Sequence, residues 1–125
     1  MRQVKIGATG RASLVVSQSQ TAKSVGSGDL DVLATPIMIA LMEKAATLAI
    51  QEFLEEGETS EGTQISTSHE LASHIGAEVE AIARVVSTDR RRVDFEIEAR
   101  QGEQLLGKGL HSRFVVNAEK FMSKG

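Results

Sequence analysis

The sequence predicts an α+β domain: one long helix packed against a mainly antiparallel sheet of five strands. Three observations lead there. The stretch Val32 to Leu54 (VLATPIMIALMEKAATLAIQEFL) is apolar on nearly every side of a helical wheel. One strand-like run precedes it and four follow it. The last three runs are joined by short turns, the pattern of a meander. The order is therefore β-α-β-β-β-β.

Within the helix, Thr35 suits the N-cap and Pro36 the first helical position, and Gly57 supplies a stop after Glu56. Lys44, Thr47, Gln51 and Glu55 share a narrow polar stripe, so the helix is mostly buried. A membrane span needs about twenty apolar residues, and Glu43, Lys44, Gln51 and Glu52 interrupt the run too often. Glu43 lies on the flank of the stripe. It reads either as a rim carboxylate reaching water, Lys44 or Thr47, or as a partly desolvated carboxylate placed for catalysis.

The first strand is Thr9 to Val16, with Ala12, Leu14 and Val16 on one face. Ser17 to Asp31 is polar and Gly-containing and reads as a loop. The turn EEGETSEG after the helix is acidic where the macrodipole is already negative, which predicts a solvated, mobile segment. Strands are then expected over Gly62 to Leu71, Glu78 to Val86, Arg92 to Arg100 and Gln104 to Val116. The third of these is the clearest, since Val93, Phe95, Ile97 and Ala99 alternate with charged residues. Gly107 and Gly109 imply a bend or a close backbone approach. Asn117 is a fitting cap for a short helix to Met122. Ile82, Val86 and Leu105 fall on the sheet face away from the helix, which leaves apolar surface for a second copy.

The chain has 125 residues and reads as a single domain over 1–125. It has no cysteine, so thiolate chemistry and disulfides are excluded. The N-terminus lacks a signal-peptide core, which points to the cytoplasm. A net charge of −3, no Trp or Tyr and four Phe argue against nucleic acid as a partner.

Three segments, LATPIMIALMEKA, GTQISTSHELAS and LLGKGLHSRFVV followed by AEKF, resemble the fluoroacetyl-CoA thioesterase-like branch of the hotdog-fold thioesterases. The resemblance runs from about Val4 to Phe121. Its most specific element is the spacing of Thr35, Glu43 eight residues on, and His69 twenty-six beyond that. The resemblance implies that Thr35, Glu43 and His69 are catalytic, and that Gly62 and Arg113 line the substrate pocket. It further implies hydrolysis of a short-chain acyl-CoA thioester to free acid and coenzyme A. The sites would lie between subunits of a homodimer, or of a tetramer built from it, with no cofactor beyond the coenzyme A of the substrate. Two departures stand out. Pro36 replaces a glycine and has no N–H to offer an oxyanion, which leaves Ile37 N–H or a side chain for that role. No aromatic residue precedes Phe53, so an aromatic lid over the acyl group cannot be built.

Thioester hydrolysis needs a base or nucleophile and a polarised carbonyl. Glu43 suits the first role, His69 can orient it or share it, and Thr35 can bind the carbonyl or water at the positive end of the helix. Each has a plainer reading: Thr35 as an N-cap, His69 as a satisfied strand histidine. His74 and His111 have no supporting pattern and read as structural or surface residues. No metal-ligand spacing is present. Arg90, Arg91 and Arg92 read as a solvated hairpin or as phosphate ligands for coenzyme A, a role for which Lys108 and Arg113 compete. Eight helical residues separate Thr35 from Glu43 by about 12 Å along the axis, a span that a shared interface site would relieve. The alternative function is a hotdog dimer that binds an acyl-CoA or another small ligand without turnover.

Overall fold

The structure, a computed structural model, describes residues 1–124. β1 (Thr9–Val15) leads into a 3-10 turn (Gln18–Gln20) and a short helix, α1 (Ala22–Val25). The long helix α2 (Thr35–Ile50) follows and ends in a 3-10 turn, Gln51–Phe53. Then come β2 (Glu58–Thr67), β3 (Glu78–Asp89), β4 (Arg92–Gln101), β5 (Gln104–Asn117) and the terminal helix α3 (Ala118–Ser123). The sheet order is β1-β3-β4-β5-β2 with every pairing antiparallel, and the sheet curls around α2.

The alternation in β4 is realised in full: Val93, Phe95, Ile97 and Ala99 are all buried. They meet Met38, Leu41, Met42, Ala45, Ala46, Ala49 and Ile50 from α2 in one core. The alanines let the helix lie close to the sheet. Gly10 is its counterpart on β1, because a Cβ there would overlap Ala45 O and Ala49 N. Gly57, at φ +84, turns the chain into β2, and Asn117 caps α3 by accepting from Lys120 N. Ile82, Val86 and Leu105 are half-buried on the outer sheet face, where Leu110 and Phe114 add further exposed apolar surface.

Three expectations are corrected. The polar stretch after β1 is not all loop: Thr21 caps α1 by accepting from Ser24 N. The acidic turn is not a mobile segment throughout, since Glu58 opens β2 and pairs with the Met1 ammonium and with Arg91 Nη1, each at 2.9 Å. Strand β2 begins and ends four residues earlier than its composition suggests. His69 therefore lies beyond the strand, and Gly62 lies inside it, at a bulge between Gly62 and Gln64. The close backbone approach expected at Gly107 and Gly109 is present: a Cβ on either would overlap Ser68 O or Ser66 O.

Candidate active site

The N-terminus of α2 is set by tertiary contacts. Leu33 N donates to Ser73 O and Ala34 N to Gln20 O, which holds Ala34 extended and makes it the N-cap. Thr35 is thereby the first helical residue, and its side chain does not cap. The hydroxyl instead lies 2.7 Å from His69 Nδ1. Pro36 sits in the first turn without an N–H, and Ile37 N–H already donates to Ala34 O at 3.1 Å. The Thr35 hydroxyl is left as the side-chain donor there.

His69 is positioned from both sides. Ser68 N donates to Lys108 O at 3.0 Å and Glu70 N to Leu106 O at 2.6 Å, so the segment past β2 stays clamped to β5. The glycines of β5 permit that approach. The imidazole is half-buried, and its Nε2 is buried without a hydrogen-bond partner. Burial pushes the His69 pKa below its ordinary value, against a smaller opposing contribution from the Leu71 backbone. Thr35 and His69 border a cavity of about 190 Å³, lined also by Ala22, Val32, Leu71 and Ala72. Its lining contains no Phe.

Glu43 lies in a second cluster. Its Oε2 is 3.4 Å from Arg113 Nη1, and its side chain is 41% exposed. Arg113 is only 6% exposed. The guanidinium donates from Nε to Ser60 Oγ at 2.8 Å and from Nη2 to Ser60 O at 2.9 Å. Its Nη1 lies 3.3 Å from His111 Nε2. Gly62 faces the group: a Cβ there would be 2.7 Å from Glu43 Oε2, 3.2 Å from His111 Cε1 and 3.3 Å from Arg113 Nη1. Any side chain at 62 would fill the space in front of the carboxylate.

The five residues singled out from the sequence thus form two groups, Thr35 with His69 and Glu43 with Gly62 and Arg113. Among the described residues no hydrogen bond joins Glu43 to His69. His111, taken for a structural or surface residue, belongs to the Glu43 group. The available signal was its spacing, since two residues before Arg113 on a strand means the same face. Arg113 is buried and bonded to Ser60, Glu43 and His111. Arg91 and Arg92 pair with Glu58 and Asp94. Among the described residues no three His, Asp or Glu side chains converge to hold a metal ion, and no helix is long and apolar enough to cross a membrane.

One central helix in a 1-3-4-5-2 antiparallel sheet is the hotdog fold, and solved hotdog thioesterases superpose on it. The chain belongs to the fluoroacetyl-CoA-specific thioesterase family, whose sequence profile it matches over residues 16–119. The fluoroacetyl-CoA thioesterase of Streptantibioticus cattleyicolor is 38% identical over 94 residues, 75% of this chain and 68% of that protein. A mutant of the fluoroacetyl-CoA-specific thioesterase, solved with fluoroacetate and CoA, superposes with a TM-score of 0.88 at 32% identity, covering 94% of this chain and 98% of that one. A thioesterase superfamily member from Thermus thermophilus gives 0.91 at 28% identity, over 99% and 92% of the two chains.

Proposed function

We propose that this protein hydrolyses short-chain acyl-CoA thioesters to the free acid and coenzyme A, with Glu43 and His69 as the base or nucleophile pair. The observation that carries this reading is the Thr35–His69 contact. The ring is held at Nδ1 while Nε2 is buried with nothing to bind. An unsatisfied buried polar atom costs about 1–3 kcal/mol, so the site suits a partner brought by substrate, water or a second subunit.

As a base, Glu43 takes a proton from water as the oxygen adds to the thioester carbonyl. The C–S bond then breaks, and the thiolate leaves with the proton that Glu43 returns. As a nucleophile, Glu43 attacks the carbonyl itself and the thiolate leaves, taking a proton from solvent. Water then cleaves the mixed anhydride and restores the carboxylate. The Thr35 hydroxyl, at the positive end of α2, supports the carbonyl oxygen or the water. Gly62 and Arg113 shape the pocket beside Glu43.

The two groups fit one reaction in a homodimer. β2 is an edge strand that carries Gly62 and Ser60, and among the described residues no strand pairs with its outer edge. A second copy added there would bring the partner subunit's Glu43 towards His69. The exposed apolar outer face would serve a tetramer. Pro36 and the occupied Ile37 N–H favour the second reading, a dimer that binds an acyl-CoA without cleaving it. A liberated-thiol assay across acetyl-, propionyl- and longer acyl-CoAs decides between them: saturable binding with no thiol released would support the binder.

A further inference from the structure

His111 is 2% exposed, on the helix-facing side of β5, in register with Ile65 on β2 and Phe95 on β4. Its ring stacks on Phe95 with centroids 5.8 Å apart and planes 27° from parallel. Both ring nitrogens are engaged. Nδ1 is 2.7 Å from the Gln64 carbonyl oxygen, which can only accept. Nε2 is 3.3 Å from Arg113 Nη1, which can only donate. One nitrogen must therefore carry the proton and the other must not, and the imidazole is neutral. The two partners matter separately. Gln64 is the first paired residue after the bulge that begins at Gly62. Bulges re-aim the backbone, and this one is fastened by the bond from Nδ1. Arg113 carries the only hydrogen bond to the Glu43 side chain among the described residues.

We propose that His111 is a positioning residue of the thioesterase site: its imidazole holds the Arg113 guanidinium against Glu43 and fixes the β2 backbone that presents Gly62. It acts through Arg113 and Gly62 and touches no reacting atom. The catalytic part of this inference rests on the hydrolytic reading above. The charged groups facing His111 are Arg113 on its own strand and Glu43 on α2, with Glu61 on β2 acting on Arg113; β4 contributes the uncharged Phe95. Burial holds the His111 pKa below 6.5; the Gln64 backbone bond opposes this, Arg113 adds to it and Glu43 opposes it. If acid protonates Nε2, two donors and two positive charges meet where a hydrogen bond stood, and Arg113 must move. Activity is thus full at neutral pH and falls as pH drops through a value below 6.5.

The test compares three variants on the preferred acyl-CoA. His111→Phe keeps the stack on Phe95 and loses both bonds. His111→Gln places an amide oxygen where Nε2 accepts from Arg113. His111→Asn places an amide nitrogen where Nδ1 donates to Gln64 and falls short of Arg113. Small displacements of catalytic groups can cost about 10² in rate. The expected result is a loss of kcat of about 10- to 100-fold in His111→Phe with KM little changed. His111→Gln recovers most of kcat and loses the acid limb assigned to His111. His111→Asn recovers melting temperature more than kcat. The proposal is overturned if His111→Gln and His111→Asn lose kcat alike and in step with melting temperature. Should His111→Phe fail to fold, the amide pair decides alone. Ring-nitrogen NMR of the unmodified protein gives a readout independent of turnover. An Nδ1–H tautomer at neutral pH supports the arrangement, and an Nε2–H tautomer overturns it. A protein that bears Nδ1–H but releases no thiol from any acyl-CoA would overturn the hydrolytic reading while upholding His111 as the holder of Arg113.

Discussion

The hydroxyl of Thr35 points to His69 Nδ1, 2.7 Å away, and Ala34 takes the N-cap position. Thr35 can therefore be altered without removing a cap, a loss that typically costs about 1 kcal/mol. Thr35→Ala is expected to leave the melting temperature nearly unchanged and to lower kcat/KM by about 10², the scale of one lost oxyanion donor. Thr35→Ser, which keeps the hydroxyl, should recover most of it. A large drop in melting temperature for Thr35→Ala, matched by the activity loss, would return Thr35 to a purely structural role.

Glu58 links the chain start to the β3–β4 turn. Hydrogen bonding to the Glu55 backbone and to the Met1 ammonium, with a further bond from Arg91, lowers its pKa from 4.5 to about 2. A carboxyl whose folded pKa is depressed stabilises the fold above its unfolded pKa, and that contribution fades as pH falls towards the folded value. Between pH 4.5 and about 2 the protein should lose stability, and Glu58→Gln should lose less over the same window. Urea melts at several pH values read this directly; parallel curves for the two proteins would contradict it.

The helix, the meander and the β4 pairing were legible because their periodicity is strong and their burial follows it. β2 was not, because an edge strand needs little alternation: Glu61 to Gln64 are all exposed, and only Ser60 is fully buried. Its Thr- and Ser-rich composition continues smoothly past Thr67, so nothing local marks where pairing stops. The role of Thr35 was hidden by its own suitability as a cap. The bonds from Leu33 to Ser73 and from Ala34 to Gln20 set the helix start, and no local pattern reports contacts so distant in sequence. His111 was overlooked although its spacing from Arg113 put both on one face. The tripeptide alone does not say that this face is buried or that Glu43 lies across from it.

Besides Thr35 and His69, the cavity is lined by Ala22, Ser27, Val32, Leu33, Glu70, Leu71 and Ala72, with no Phe among them. Without a Phe, Tyr or Trp packed on it, such a wall discriminates weakly between acyl groups that differ in one atom. The ratio of kcat/KM for fluoroacetyl-CoA over acetyl-CoA is expected to stay well below about 10³, which corresponds to about 4 kcal/mol of differential transition-state binding. A ratio at or above that would show that another element does the discriminating.

If Thr35 and His69 of one subunit act with the partner subunit's Glu43, inactive variants should complement. A heterodimer of Thr35→Ala and Glu43→Gln chains has one doubly altered site and one intact site. Random mixing should then restore up to about a quarter of the unmodified activity. Light scattering should show a dimer or larger species at micromolar concentration. A dimer whose mixed variants stay inactive would place each site within one chain, and a monomer would exclude sharing altogether.

Glu43 is the residue on which the chemistry depends most. Glu43→Gln keeps the shape and removes the charge. Its side chain is 41% exposed and flanks the core, so the amide opens no cavity, and Arg113 keeps both bonds to Ser60. The fold should survive, with a modest drop in melting temperature from the lost ion pair. Turnover of the preferred thioester should fall by at least about 10², the low end for general base catalysis. His69→Ala should also lose activity, and the double variant should lose less than the two losses combined, as groups acting together do. Gly62→Ala gives an independent check, because its methyl would press on Glu43 Oε2 without touching its charge. That variant should lose activity although the Glu43 carboxylate is still present. If Glu43→Gln leaves turnover intact and shifts only the melting temperature, Glu43 is no more than a counter-ion for the buried Arg113.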